Sequence, residues 1–174
     1  MRIRAQRRVR VAVTVILVVF SALATAVPHR AFAAGGGGDD RASTPARADD
    51  PDYTAAVKAI KADKFAAAIP LLEGVVKRDA TNADAYNWLA YATRKNGDPA
   101  ASIPIYEKAL AIDPKHRGAH EYMGEAYLML GNLPKAREHL ARLDKLCFFS
   151  CEEYRDLKKA VERYEKTGKP STTR

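Results

Sequence analysis

The sequence predicts an all-α solenoid of three stacked helix–turn–helix units closed by a C-terminal capping helix. Two spacings and a stripe predict it. Ala68, Ser102 and Ala136 lie 34 residues apart, and so do Leu72, Tyr106 and Leu140. A fixed period of this length marks helical pairs that cannot bury their apolar faces alone and therefore stack. After the last repeat, Tyr154, Leu157, Val161 and Tyr164 recur at spacings of three, four and three, which puts one apolar stripe on one helix face. Such a stack points to a binding module in preference to an enzyme.

The N-terminus accounts for most of the net charge. Of the 29 basic side chains in the 174-residue chain, six fall in residues 1–33, which contain no acid, so the remainder carries 23 basic against 21 acidic groups. The overall +8 therefore does not indicate a nucleic-acid partner. Residues 1–33 read as a secretory signal. Met1–Arg10 is basic, Val11–Ala26 is apolar and uncharged, and Ala31-Phe32-Ala33 supplies the small residues for cleavage before Ala34. An uncleaved membrane anchor facing the periplasm is the alternative, since the uncharged stretch nears the length of a spanning helix. Residues 34–50, with four consecutive glycines and no large apolar side chain, are expected to be a flexible linker.

The repeats divide into residues 49–82, 83–116 and 117–150. In the second unit Tyr86, Leu89 and Ala90 take the aromatic, leucine and small positions of a first helix, and Gly97 marks the turn. Ser102, Tyr106 and Ala109 take the small, large and small positions of a second helix, ended by Asp113-Pro114. The third unit matches through Met123-Gly124, Tyr127, Gly131, Ala136 and Leu140, and the first through Ala55-Ala56, Ala59, Phe65, Ala68, Leu72 and Val75. This pattern resembles the tetratricopeptide repeat (TPR). Departures are Thr93, in place of the second aromatic, Asp63, where the other units have glycine, and Ala80 and Phe148, where the terminal proline belongs.

Small residues at Ala56, Ala90 and Gly124, and at Ala68, Ser102 and Ala136, let helix backbones approach closely. Gly97 and Gly131 tolerate the left-handed conformation that ends helices. Pro99 and Pro134 suit a first helical turn. Pro70 and Pro104 lie deeper, so a distortion or a late helix start is expected there. Ser150-Cys151-Glu152-Glu153 fits a capping box, with Ser150 as N-cap of a capping helix over residues 151–167. The opposite face of that helix, including Lys159 and Arg163, is expected to solvate it, and residues 168–174 to form a frayed tail.

Cys147 and Cys151 then face each other across a tight connection. A structural disulfide, worth about 2 kcal/mol of chain entropy for so short a loop, is the favoured assignment in an oxidising compartment. The alternative is a thiol-redox or metal-handling envelope accessory protein built on this pair. The spacing is not the C-x-x-C of thioredoxin-like proteins, and no haem-attachment motif is present. His116, His120 and His139 form no recognisable metal-ligand spacing, and no nucleophilic constellation stands out. Neither cofactor nor metal nor catalytic residue is expected.

The resemblance implies that first helices line a concave groove for a peptide or protein segment. The family's ligand-facing positions fall on Asp50, Tyr53, Val57, Ile60 and Lys61 in the first unit. In the second they are Asp84, Asn87, Tyr91, Arg94 and Lys95, and in the third Gly118, Glu121, Glu125, Leu128 and Met129. Asn87, Tyr91, Arg94, Lys95, Glu121 and Glu125 are the candidate groove residues. Gly118 and Tyr122 stand where TPR domains that clamp a chaperone's terminal carboxylate have basic residues, so that subtype is not expected. The sequence thus predicts an exported bacterial, periplasmic scaffold or adaptor, with self-association through the open ends of the stack as a further option.

Overall fold

The protein is described from a computed structural model covering residues 50–170. The expected signal peptide, the linker up to residue 49 and the tail from residue 171 lie outside the described residues. Seven helices run in order: α1 (Pro51–Lys61), α2 (Phe65–Arg78), α3 (Ala83–Lys95), α4 (Pro99–Ile112), α5 (Arg117–Met129), α6 (Leu133–Leu146) and α7 (Glu152–Thr167). There is no strand among the described residues. Each helix packs on the next, and α1, α3, α5 and α7 also touch in succession, α7 lying against both α5 and α6. The capping helix therefore stands where the first helix of a fourth unit would stand.

The 34-residue period reappears in the helix ends. Asn82 and His116 cap α3 and α5, each accepting from a backbone N–H of the first turn; Asp98 and Asn132 do the same for α4 and α6. Asp50 caps α1 by accepting from the N–H groups of Asp52 (2.9 Å) and Tyr53 (3.1 Å), so this last linker residue belongs to the folded part. Gly97 and Gly131 take positive φ at the turns, and Asp63 takes φ 56° at the equivalent place in the first unit. Aspartate is among the few side chains that tolerate this region, which is how the repeat survives the loss of its glycine.

The small positions lie at the centre of the packing. Ala56, Ala90, Ala68, Ser102 and Ala136 are fully buried, and Gly124 is buried with them. Leu72 and Tyr106 are fully buried beyond them, while Leu140 is partly buried and Leu143 carries the load in the last cluster. At Gly124 the approach is closest. A Cβ there would meet Leu157 Cδ2 at 2.6 Å and Cδ1 at 2.8 Å. Leu157, Ala160 and Val161 thus seat α7 on the backbone of α5, and Arg117–Glu153 (3.6 Å) and Arg137–Glu165 (2.8 Å) tie its two ends to α5 and α6.

Of the two outcomes expected at the inner prolines, the late start does not occur: α2 starts at Phe65 and α4 at Pro99, and both continue through Pro70 and Pro104. Each proline is the sixth residue of its helix and lies on the exposed face, as do Ala66 and Ala100 four residues earlier. Solvent can reach the carbonyls those prolines leave without a partner. Ser150 is not the N-cap of α7. It adopts φ 57°, and Cys151 takes the cap position without a side-chain bond, because the short link between α6 and α7 must reverse direction there. Cys147 is the C-cap of α6, and the two cysteines form a disulfide with Cα atoms 5.4 Å apart.

Gly124→Ala should lower stability by about 1 kcal/mol, since overpacking outweighs the gain in helix propensity. Leu157→Ala should cost about 2–5 kcal/mol. In the double variant the new methyl group has room, so Gly124→Ala should cost nothing further. Urea unfolding of the four proteins checks the coupling.

Candidate functional site

The first helices and the capping helix enclose a cleft of about 330 Å³ lined by Tyr91, Arg94 and Lys95 of α3, Glu121, Tyr122 and Glu125 of α5, and Asp156, Lys159, Ala160 and Arg163 of α7. Five of the six candidate groove residues meet here. The sixth, Asn87, lies outside the lining. It is buried beside Gly118, and its Oδ1 has no hydrogen-bond partner among the described residues. Of the other positions implied by the resemblance, Ile60 and Leu128 are buried in the core.

The floor is aromatic. Phe65, Tyr91 and Tyr122 follow one another across α2, α3 and α5, with centroid separations of 6.1 and 4.8 Å, and Trp88 meets Tyr91 edge-on at 5.6 Å. Contacts of this kind contribute about 0.5–1.5 kcal/mol each beyond their burial. They fix the tyrosine rings as a rigid surface. Arg94 is only 6% exposed, with its guanidinium 5.2 Å from the Tyr91 centroid and 5.7 Å from that of Tyr122. It is paired to Glu125 at 2.9 Å and so belongs more to the wall than to the open space. Lys95 reaches over Phe65 at 5.7 Å.

Charge in the cleft is uneven. Burial, reinforced by the neighbouring carboxylates of Glu125, Asp156 and Glu153, pushes the Glu121 carboxyl up to about 9. It is therefore protonated at neutral pH. Arg94, Lys95, Lys159 and Arg163 then face the carboxylates of Glu125 and Asp156, leaving a cationic excess. Lys159 and Arg163 are exposed, as expected from the sequence, and they also line the rim of this cleft. The spacing of Asp156, Lys159, Ala160 and Arg163 is helical, and this second stripe was the available signal. Tyr122 was seen only as a departure from the chaperone-tail clamp.

The histidines lie apart from the cleft. His116 Nδ1 accepts from the Ala119 N–H at 3.1 Å, and its Nε2 faces Asp84 at 3.1 Å. His120 Nε2–H donates to the Pro114 carbonyl at 3.1 Å, which leaves its Nδ1 to accept from His139 Nδ1–H at 3.0 Å. Burial lowers the affinity of both rings for a second proton. His139, further disfavoured by His120, falls to about 4. Among the described residues no group of three or more histidine, cysteine, aspartate or glutamate side chains could hold a metal ion. Nor is any described helix long and apolar enough to cross a membrane.

Two pH dependences follow. The raised Glu121 carboxyl contributes stability that is full below about pH 4.5 and is lost as pH rises toward 9. Glu121→Gln should therefore be more stable than the parent at pH 8 by at least about 1 kcal/mol, with the difference shrinking toward pH 5. The histidine pair acts in the opposite direction. Below about pH 6.5 the unfolded chain takes up protons that the folded pair refuses, so stability falls as pH drops toward 4. His139→Phe should flatten that part of the profile, as read by urea midpoints at pH 7 and 4.5.

Two family models described as tetratricopeptide repeat match residues 53–117 and 93–161. The second extends into α7, in keeping with its place in the stack. No curated protein matches the chain. Among solved structures, the Yersinia enterocolitica type III secretion translocator chaperone SycD is similar with a TM-score of 0.62 at 17% identity, over 67% of this chain and 83% of that one. SycD in complex with a peptide of the translocator YopD gives 0.57 at 19%, over 64% and 85%. The first TPR of Spaghetti (RPAP3), bound to the HSP90 peptide SRMEEVD, gives 0.59 at 20%, over 67% and 91%. The shared period, the nested helical pairs and these matches agree: the chain carries tetratricopeptide repeats.

Proposed function

We propose that this protein is an exported binding module that holds a segment of a partner protein in the cleft between α3, α5 and α7, and that it is not an enzyme. The observation that carries this is the cleft itself. A rigid aromatic floor supplies contact area at little entropic cost, and cationic side chains at the rim supply orientation. Two structures of the same fold support it, since SycD and RPAP3 are solved with peptides bound. Export to the periplasm rests on residues 1–33, with an uncleaved anchor as the alternative. The partner would then be an envelope protein, and the outcome would be scaffolding or assembly.

The cleft predicts which side chains matter. Lys95→Glu with Lys159→Glu reverses two rim charges without touching the core, and Tyr91→Ala removes the centre of the floor. The tagged full-length chain is crosslinked in intact cells and the captured proteins are identified. A partner held in the cleft should be lost by about tenfold or more in the charge-reversed variant and in Tyr91→Ala. Capture that is the same for parent and both variants would contradict the proposal.

A further inference from the structure

The link between α6 and α7 exposes two large apolar side chains side by side. Phe148 is 92% and Phe149 88% exposed, and their rings meet edge-on at 4.8 Å. Neither belongs to any of the hydrophobic clusters. The disulfide between Cys147 and Cys151 closes the loop around them, and both cysteines are anchored as helix caps. The rings are thus presented on a short covalent ring that gives them little freedom to fold back. Adjacent exposed aromatics on a constrained support are the mark of a contact surface.

The opposite end of the stack offers a matching cavity. On α1, Tyr53, Thr54, Val57, Lys58 and Lys61 surround a shallow, mainly apolar cleft of about 380 Å³. Among the described residues no helix covers α1 on its outer side, whereas α7 covers the other end. Lys58 and Lys61 at the rim suit both the faces of incoming phenyl rings and the carboxylates of Asp144 and Glu152, which flank the phenylalanine loop. A lipid surface fits less well. Around the loop, Asp144 and Glu152 offset Lys145 and Arg155, and Glu153 is paired to Arg117, so no positive excess is present to hold an anionic bilayer.

We propose that the Phe148–Phe149 loop of one copy inserts into the α1 cleft of a second copy, joining the chains head to tail. Knob and hole lie on different surfaces of the same chain, so the contact is heterologous and can repeat along a row of copies. The α1 cleft shares no lining residue with the cleft between α3, α5 and α7, so each can be disabled by substitutions that leave the other's lining intact.

Heterologous pairing has a distinctive signature. Two differently tagged full-length copies are co-expressed, and one is recovered through the other's tag. Phe148→Ser/Phe149→Ser in both copies, or Val57→Glu in both, should cut recovery by about tenfold or more. One copy of each kind should restore it, because one intact knob and one intact hole remain. A photo-crosslinking residue at position 149 should join residues 53–61 of the other copy. Circular dichroism and Trp88 fluorescence establish that the variants stay folded. The proposal is overturned if parent copies do not recover each other. It is equally overturned if neither variant reduces recovery, if the mixed pair fails to restore it, or if the crosslinker captures only lipid or another polypeptide.

Discussion

Everything in this structure depends on how closely its helix backbones can approach. Five fully buried alanine and serine side chains and one buried glycine recur at fixed places in the pairs. They leave little volume between the helix axes. Larger residues such as Leu72 and Tyr106 then fill the space to either side. Close packing of this kind admits neither an extra methylene nor a void without cost, so the small positions set the register of the whole stack. Polar caps and ion pairs adjust the ends. Arg78, for example, ties Asp50 and Asp52 at 2.9 and 2.8 Å, but these are exposed pairs of modest worth.

The same constraint places the site. With no side chain at Gly124, Leu157 can sit against α5, and α7 takes the position of a further first helix. That converts an open concave face into a bounded cleft and adds Asp156, Lys159 and Arg163 to its lining. α7 contributes to the raised affinity of Glu121 for its proton through the carboxylates of Asp156 and Glu153, both of which come from that helix. The electrostatics of the cleft are therefore a consequence of packing. Lengthening or shifting α7 would alter the charge balance as well as the shape.

Much of the fold was legible because the repeat states each rule more than once. Asn82 and His116, Asp98 and Asn132, Gly97 and Gly131 carry the same duties 34 residues apart. The groove was legible only where the repeat extends. Tyr91, Arg94, Lys95, Glu121 and Glu125 sit at repeat positions and meet in the cleft, whereas the α7 contribution lies past the last full unit. A sequence pattern shows that α7 is amphipathic but not which neighbour receives its polar stripe. Asn87 is buried beside Gly118, whose missing side chain leaves room for its amide, and the repeat position alone does not show that contact. Ser150 was misjudged because its propensity to cap was weighed without the disulfide-closed link, in which Ser150 takes φ 57° and Cys151 takes the cap position.

The most direct test of the central claim is native-state hydrogen exchange at α7. If this helix is seated on Gly124 as an integral layer, the amides of Leu157, Ala160 and Val161 should exchange with the same opening free energy as those of Met123 and Ala126 on α5. Exchange at α7 that is orders of magnitude faster than at α5 would mean that the helix opens independently, and that the cleft it closes is not a fixed feature of the fold.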